Sequence, residues 1–164
     1  MKDEGISTLS SMLMIQFKDK WKHLNQIIDK VPEKKFHVGR KNWRFSWILF
    51  HIIETADFYS RDNPDTMKWG DKAGFDWEKS SKEEIVEKKL TITKNMLREY
   101  SKEIEQRIEQ FLNDVSNEEL LKKDDFHWFD SILGKLVYML RHNAFHIGEL
   151  ARILRGWDGE RFKW

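Results

Sequence analysis

Three features of the sequence predict an all-α fold, an up-down bundle of four helices. Apolar residues recur three or four apart over several long stretches, no segment reads as a strand, and only Pro32 and Pro64 interrupt the chain, each where a periodic stretch stops. The 164 residues are one domain's worth of chain, since domains cluster at ~100–150 residues. No repeat, low-complexity run or linker marks a boundary, so residues 1–164 are read as a single domain. The 40% hydrophobic content, with eight Trp, is enough to pack one core.

The first helix carries Ile6, Leu9, Leu13, Phe17, Trp21, Leu24 and Ile28 on one stripe and ends before Pro32. The second runs from Phe45 or Ser46 to Tyr59, with Trp47, Ile48, His51, Thr55 and Phe58 facing inward. From Arg61 to Lys79 there is no period, and Pro64, Gly70 and Gly74 fall within it. This is a long loop between helices 2 and 3, and loops beyond ~12–15 residues in a compact domain often line binding sites. Ser80 with Glu83 and Ser81 with Glu84 have capping-box spacing. They open a third helix that continues to about Leu112 through Ile85, Ile92, Leu97, Ile104, Ile108 and Phe111. Ser116 and Glu119 begin a short helix to Leu121. The last helix starts near Asp130, buries Ile132, Leu136, Leu140, Ile147, Leu150 and Leu154, and reaches Arg155, with Gly156 as its C′ stop.

Composition removes several function classes. The chain has no cysteine, which excludes disulfides, thiolate metal sites and a Cys nucleophile. Twenty-nine Lys and Arg against 28 Asp and Glu leave a net charge of +1, unlike a dedicated polyanion binder. The basic run Lys34, Lys35, Arg40, Lys41 and Arg44, with Trp43 nearby, is too local to make nucleic acid the expected partner. No phosphate loop, dinucleotide fingerprint or serine elbow is present. The apolar stretch from Trp47 to Ile53 is far short of a ~20-residue membrane span. Met1-Lys2-Asp3-Glu4 does not open a signal peptide. A cytoplasmic protein without membrane association is expected.

Chemistry is concentrated in the histidines. His142 and His146 lie four apart on the last helix, so their rings project to one side, ~40° apart, and two neutral nitrogens can reach one ion. Zincin proteases use the same spacing with a Glu after the first His; here that residue is Asn143, so that reading fails. His146 lies at the margin of the apolar stripe and His142 slightly further out, facing a groove at the bundle edge. His51 has mostly apolar helical neighbours, so its ring needs a partner. A carbonyl, a carboxylate or a metal shared with His142 and His146 would serve. His23 falls off its helix stripe and is read as solvated; His37 sits among cations, and His127 is a weaker substitute ligand. Glu54 and Glu149, three residues after His51 and His146, are placed to orient an imidazole or take a proton. Tyr138, four before His142, is placed to donate to a substrate. Gly148, costly in mid-helix by ~1 kcal/mol, marks close approach of a helix or chain. Trp69, Trp77, Trp128, Trp157, Phe162 and Trp164 are candidates to wall an apolar pocket over the metal.

The segments Trp47-Ile-Leu-Phe-His51-Ile-Ile-Glu54 and Arg141-His142-Asn-Ala-Phe-His146-Ile-Gly-Glu-Leu150, in this helix order, resemble the DinB/YfiT-like family of small metal-binding bundles. The resemblance covers nearly the whole chain. It implies that His51, His142 and His146 bind a divalent ion, Zn²⁺ or Ni²⁺ foremost, with Mn²⁺ or Fe²⁺ compatible with the ligands. It also implies a homodimer. Characterised branches use low-molecular-weight thiols such as bacillithiol or mycothiol, so the resemblance suggests a metal-dependent S-transferase acting on a small molecule. The alternatives are a metal-dependent hydrolase and a non-catalytic metal- or ligand-binding stress-response bundle.

Overall fold

A computed structural model describes residues 8–40 and 43–158, and these are mostly helical. Helix α1 (Leu9–Lys30) begins where the Thr8 hydroxyl accepts from the Ser11 backbone N–H at 3.2 Å, and it ends at Val31, before Pro32. Ile6 lies outside the described residues. A sequence-based reading without strands misses a small hairpin, β1 (Gly39–Arg40) antiparallel to β2 (Trp43–Arg44). Gly39 permits its first rung, because a Cβ there would sit 2.5 Å from the Trp43 carbonyl oxygen and from the Arg44 Cα. The chain passes directly from β2 into α2 (Phe45–Tyr59), which matches the expected helix.

The loop that follows is as long as expected. Its 3₁₀ turns, Pro64–Thr66 and Asp71–Ala73, fold it back on α2, with Trp69 on Phe58 and Phe75 on Phe50. The third expected helix is two. Helix α3 (Lys82–Leu90) starts at the Ser81 cap, and α4 (Lys94–Asp114) starts at a second cap, Thr93, whose hydroxyl accepts from Met96 N–H. The Thr91-Ile92-Thr93 run breaks the helix there, because a β-branched hydroxyl residue satisfies the backbone better as a cap than in mid-helix. Ile92 is still buried, which is why the apolar period runs on across the break. Helix α5 (Asn117–Leu120) carries the expected capping box of Ser116 and Glu119.

Helix α6 (Ile132–Asp158) begins slightly later than expected and continues through Gly156, which is therefore not its stop. Packing extends it: the Trp157 ring lies 5.3 Å from Phe45 and holds the last turn against α2. Four long helices share the core. α1 packs on α4 and α6, and α2 packs on the same two. Phe17, Trp21, Phe45, Phe50 and Ile53 are fully buried between them.

Two expectations about single residues are corrected. His23 is 2% exposed, not solvated. α1 contacts both α4 and α6, so its buried arc is wider than one apolar stripe and takes in His23, with the Asp19 carboxylate 3.7 Å from its Nδ1. Gly148 does not mark close approach among the described residues, since a Cβ there would meet none of their atoms within 4 Å. No helix among the described residues is long and apolar enough to cross a membrane.

Candidate metal centre

Helix α2 presents His51 to α6, and α6 presents His142 and His146 from consecutive turns. One ligand nitrogen from each of the three lies within 4.8 Å of the others. The Nε2 atoms of His51 and His142 are 3.1 Å apart, and the three ring centroids are 4.7–5.1 Å apart. His146 is buried and the other two are half-buried.

Hydrogen bonds on the far side of two rings set where their lone pairs point. Nδ1 of His146 lies 3.0 Å from the Glu149 carboxylate, and Nδ1 of His142 lies 3.3 Å from the Asn143 side-chain oxygen. Both acceptors take an Nδ1 proton, which leaves each Nε2 as a lone pair facing the centre. Burial, reinforced by the two neighbouring imidazoles and by Lys89, depresses the His51 pKa to about 4. Burial lowers that of His142 as well. Burial thus favours the neutral form of His51 and His142, the form that ligates a metal.

The donor set fits a divalent cation. Two nitrogens sharing one tetrahedral ion at ~2.1 Å stand roughly 3.4 Å apart, close to the His51–His142 separation. Among the described residues, the three imidazoles are the one such group of potential ligands.

Glu149, expected to orient an imidazole or take a proton, lies against His146. Besides His146 it accepts from the Trp43 indole N–H at 2.9 Å. Glu54 does not join the histidines. It is buried on α2 and accepts the Gly70 backbone N–H at 2.6 Å, tying the long loop to the helix. Burial pushes its pKa up to about 7, against the lowering effects of the Gly70 bond and of Lys89. The Tyr138 ring stacks 6.4 Å from His142 and edges Tyr59 at 5.2 Å. The Tyr59 hydroxyl is pushed up to about 12, first by burial and then by Tyr138.

The expected aromatic wall lies elsewhere. Trp69 and Trp128 surround Phe58, Trp77 packs on Phe75 beneath Lys89, and Trp157 packs on Phe45. Phe162 and Trp164 lie outside the described residues. Of the described tryptophans, the one beside the histidines is Trp43, 5.7 Å from His51 and 5.4 Å from His146. Sequence periodicity could not find it, because the hairpin that carries it is too short to have a period; Gly39 was the available signal.

His37 is bonded through Nδ1 to the Ser46 hydroxyl at 2.8 Å, and His127 is exposed in the loop before α6; neither reaches the centre. The basic run is partly committed. Arg44 donates to the His37 carbonyl and Lys35 lies over Trp157, while Lys41 is outside the described residues.

Comparison with known proteins adds no relative: no family model matches this chain, and no curated protein or solved structure does.

Proposed function

We propose that this chain is an up-down four-helix bundle of the DinB/YfiT-like type, that it binds a divalent metal ion through His51, His142 and His146, and that it is a thiol-dependent S-transferase. The bundle reading is supported by four long helices, α1, α2, α4 and α6, each packed on two of the others. The observation that carries the metal reading is the convergence of three ligand nitrogens from two helices, with Glu149 and Asn143 orienting two of the rings from behind.

A bound divalent ion is a Lewis acid and lowers the pKa of a coordinated thiol or water. Imidazole donors suit zinc or nickel and also accept iron or manganese. Three neutral imidazoles leave the ion's charge uncompensated, which favours an anionic fourth ligand such as a thiolate. Burial favours the neutral form of His51 and His142, and Glu149 fixes the angle of His146. With no cysteine in the chain, the thiol arrives as a cosubstrate.

The test is an assay with chlorodinitrobenzene and a panel of low-molecular-weight thiols, in which a carbon–sulfur bond forms and chloride leaves. We expect thiol-dependent product formation by zinc- or nickel-loaded protein, abolished in His142→Ala and by a chelator. No histidine-dependent rate with any thiol would overturn the transferase reading. Turnover of activated esters without thiol would replace it with a hydrolase.

A further inference from the structure

We propose that Trp43, Phe145 and Tyr138 form an aromatic rim that selects what occupies the open position of the three-histidine centre: a ligand with an anionic metal-binding head on a planar, apolar body. The inference rests on the metal reading above and names the chemical class that the centre accepts.

Each imidazole of the centre has an aromatic side chain beside it. Trp43 flanks His51 and His146 at 5.7 and 5.4 Å, Phe145 meets His146 edge-on at 5.1 Å, and Tyr138 stacks on His142 at 6.4 Å. Two of these rings face solvent more than their size warrants: Trp43 is 43% exposed and Phe145 is 70% exposed. Large exposed aromatics at the mouth of a polar cluster are what a binding site shows before its ligand covers them.

Trp43 is also preorganised. The β1–β2 ladder sets its backbone, and its indole N–H is spent on Glu149, the carboxylate that orients His146. Its π-face is thereby fixed beside the centre with no polar group left to satisfy. An aromatic ring placed against it gains dispersion and stacking at little entropic cost.

The head is anionic for two reasons on the same surface. The imidazoles bring no charge to offset a divalent ion, and the Arg141 guanidinium sits 5.2 Å over the Tyr138 ring, at the rim. A small aliphatic anion would satisfy the metal but leave Trp43 and Phe145 uncovered. An anion carried on an aromatic body would satisfy both.

The experiment uses two probes with the same metal-binding head, acetohydroxamate and benzohydroxamate, titrated into the full-length protein loaded with cobalt(II). Binding is followed by the cobalt visible spectrum and by tryptophan fluorescence. We expect benzohydroxamate to bind about tenfold more tightly than acetohydroxamate, the size of one well-formed aromatic contact. In Phe145→Ala, whose side chain is too exposed to matter for folding, the ratio should fall to about threefold or less. Trp43→Phe keeps a ring while losing the N–H to Glu149, so it should weaken cobalt binding and preserve most of the ratio. Trp43→Ala should lose both.

A ratio reports the rim independently of metal affinity, which a merely structural role for these residues would not move. Equal binding of the two probes by wild-type protein would overturn the proposal, as would an unchanged ratio in both alanine variants. Protein that takes up no cobalt would refute the metal reading itself, and a normal cobalt spectrum with equal probe affinities would refute the rim alone.

Discussion

Helix α2 carries two polar clusters a turn and a half apart, and they are built on opposite principles. Asp57 turns toward α4, where its carboxylate accepts from the Tyr100 hydroxyl at 2.7 Å and pairs with Arg61 and Arg107 at 2.8 and 2.6 Å. Those partners hold its pKa below the usual carboxylate range in spite of burial. A cavity of about 410 Å³ opens beside these arginines and Lys135, yet its cations are already matched, Arg61 and Arg107 by Asp57 and Lys135 by Asp124. His51 turns toward α6, where it meets two more imidazoles. Complementary charges close a cluster and make it structural. Converging lone pairs leave it open, which is the arrangement the proposed metal reading requires. The contrast is between a polar group matched within the fold and one that is not matched by charge, although both stand on one helix.

The largest expected effect tests the closed cluster. Asp57→Ala leaves the buried Tyr100 hydroxyl without its acceptor and takes from Arg61 and Arg107 the carboxylate nearest to each, leaving Arg107 with Glu103 and Arg61 with the Thr66 carbonyl. Because the arginines are about a quarter to a third exposed, the loss should sit at the low end for a broken buried pair, about 3 kcal/mol. Urea denaturation measures it, and metal content per folded chain should not change. A cost below about 1 kcal/mol would mean that the network is ornamental to stability.

The open cluster is sharpened by Glu149→Gln, which removes the charge behind His146. Metal affinity should drop about 10- to 100-fold, read by competition with a chromogenic chelator, while the stability of metal-free protein changes little. Undiminished affinity would mean that Glu149 does not orient a ligand.

Glu54 lies between the two clusters in sequence and belongs to neither. Its folded pKa is raised to about 7 from 4.5, so between these values the folded chain holds a proton that the unfolded chain has released. Its contribution is therefore full below pH 4.5 and is lost as the pH rises through about 7. Glu54→Gln keeps an acceptor for Gly70 and cannot ionise. It should be more stable than wild type at pH 8 by up to about 3 kcal/mol, the difference vanishing only below pH 4.5 in paired denaturation curves. No pH dependence of that difference would show that the carboxyl ionises freely.

The smallest effect concerns the outer side of the site's own helix. A Cβ at Gly148 meets no atom of the described residues within 4 Å, so Gly148→Ala should raise thermal stability by about 1 kcal/mol through helix propensity alone. Destabilisation instead would place a second copy of the chain against this face.

The helices whose apolar residues form one continuous stripe were legible in the sequence: α2 has the expected bounds, His142 and His146 were marked by their spacing, and His51 was marked by its apolar helical neighbours. Burial on two sides was not legible. His23 lies outside a one-sided stripe but inside the arc that α4 and α6 together cover. The α3–α4 break escaped because Ile92 keeps the apolar rhythm across it while Thr93 starts a new helix. Trp43 and Phe145 escaped because neither serves the core, and periodicity reports only what the core requires. The expected wall of other tryptophans packs around Phe58, Phe75 and Phe45, where large rings fill the ends of the bundle.

The central claim is that His51, His142 and His146 are a metal site, and metal content tests it most directly. Untagged protein that has never met a nickel column should be analysed by mass spectrometry, beside His51→Ala and His142→Ala variants shown by circular dichroism to be folded. Metal-free preparations should first be offered zinc, nickel and manganese. The account predicts about one ion per wild-type chain and none retained by either variant. Folded wild-type protein that still binds no ion, or variants that bind as well as it does, would contradict the account and return His51 to the status of a core histidine.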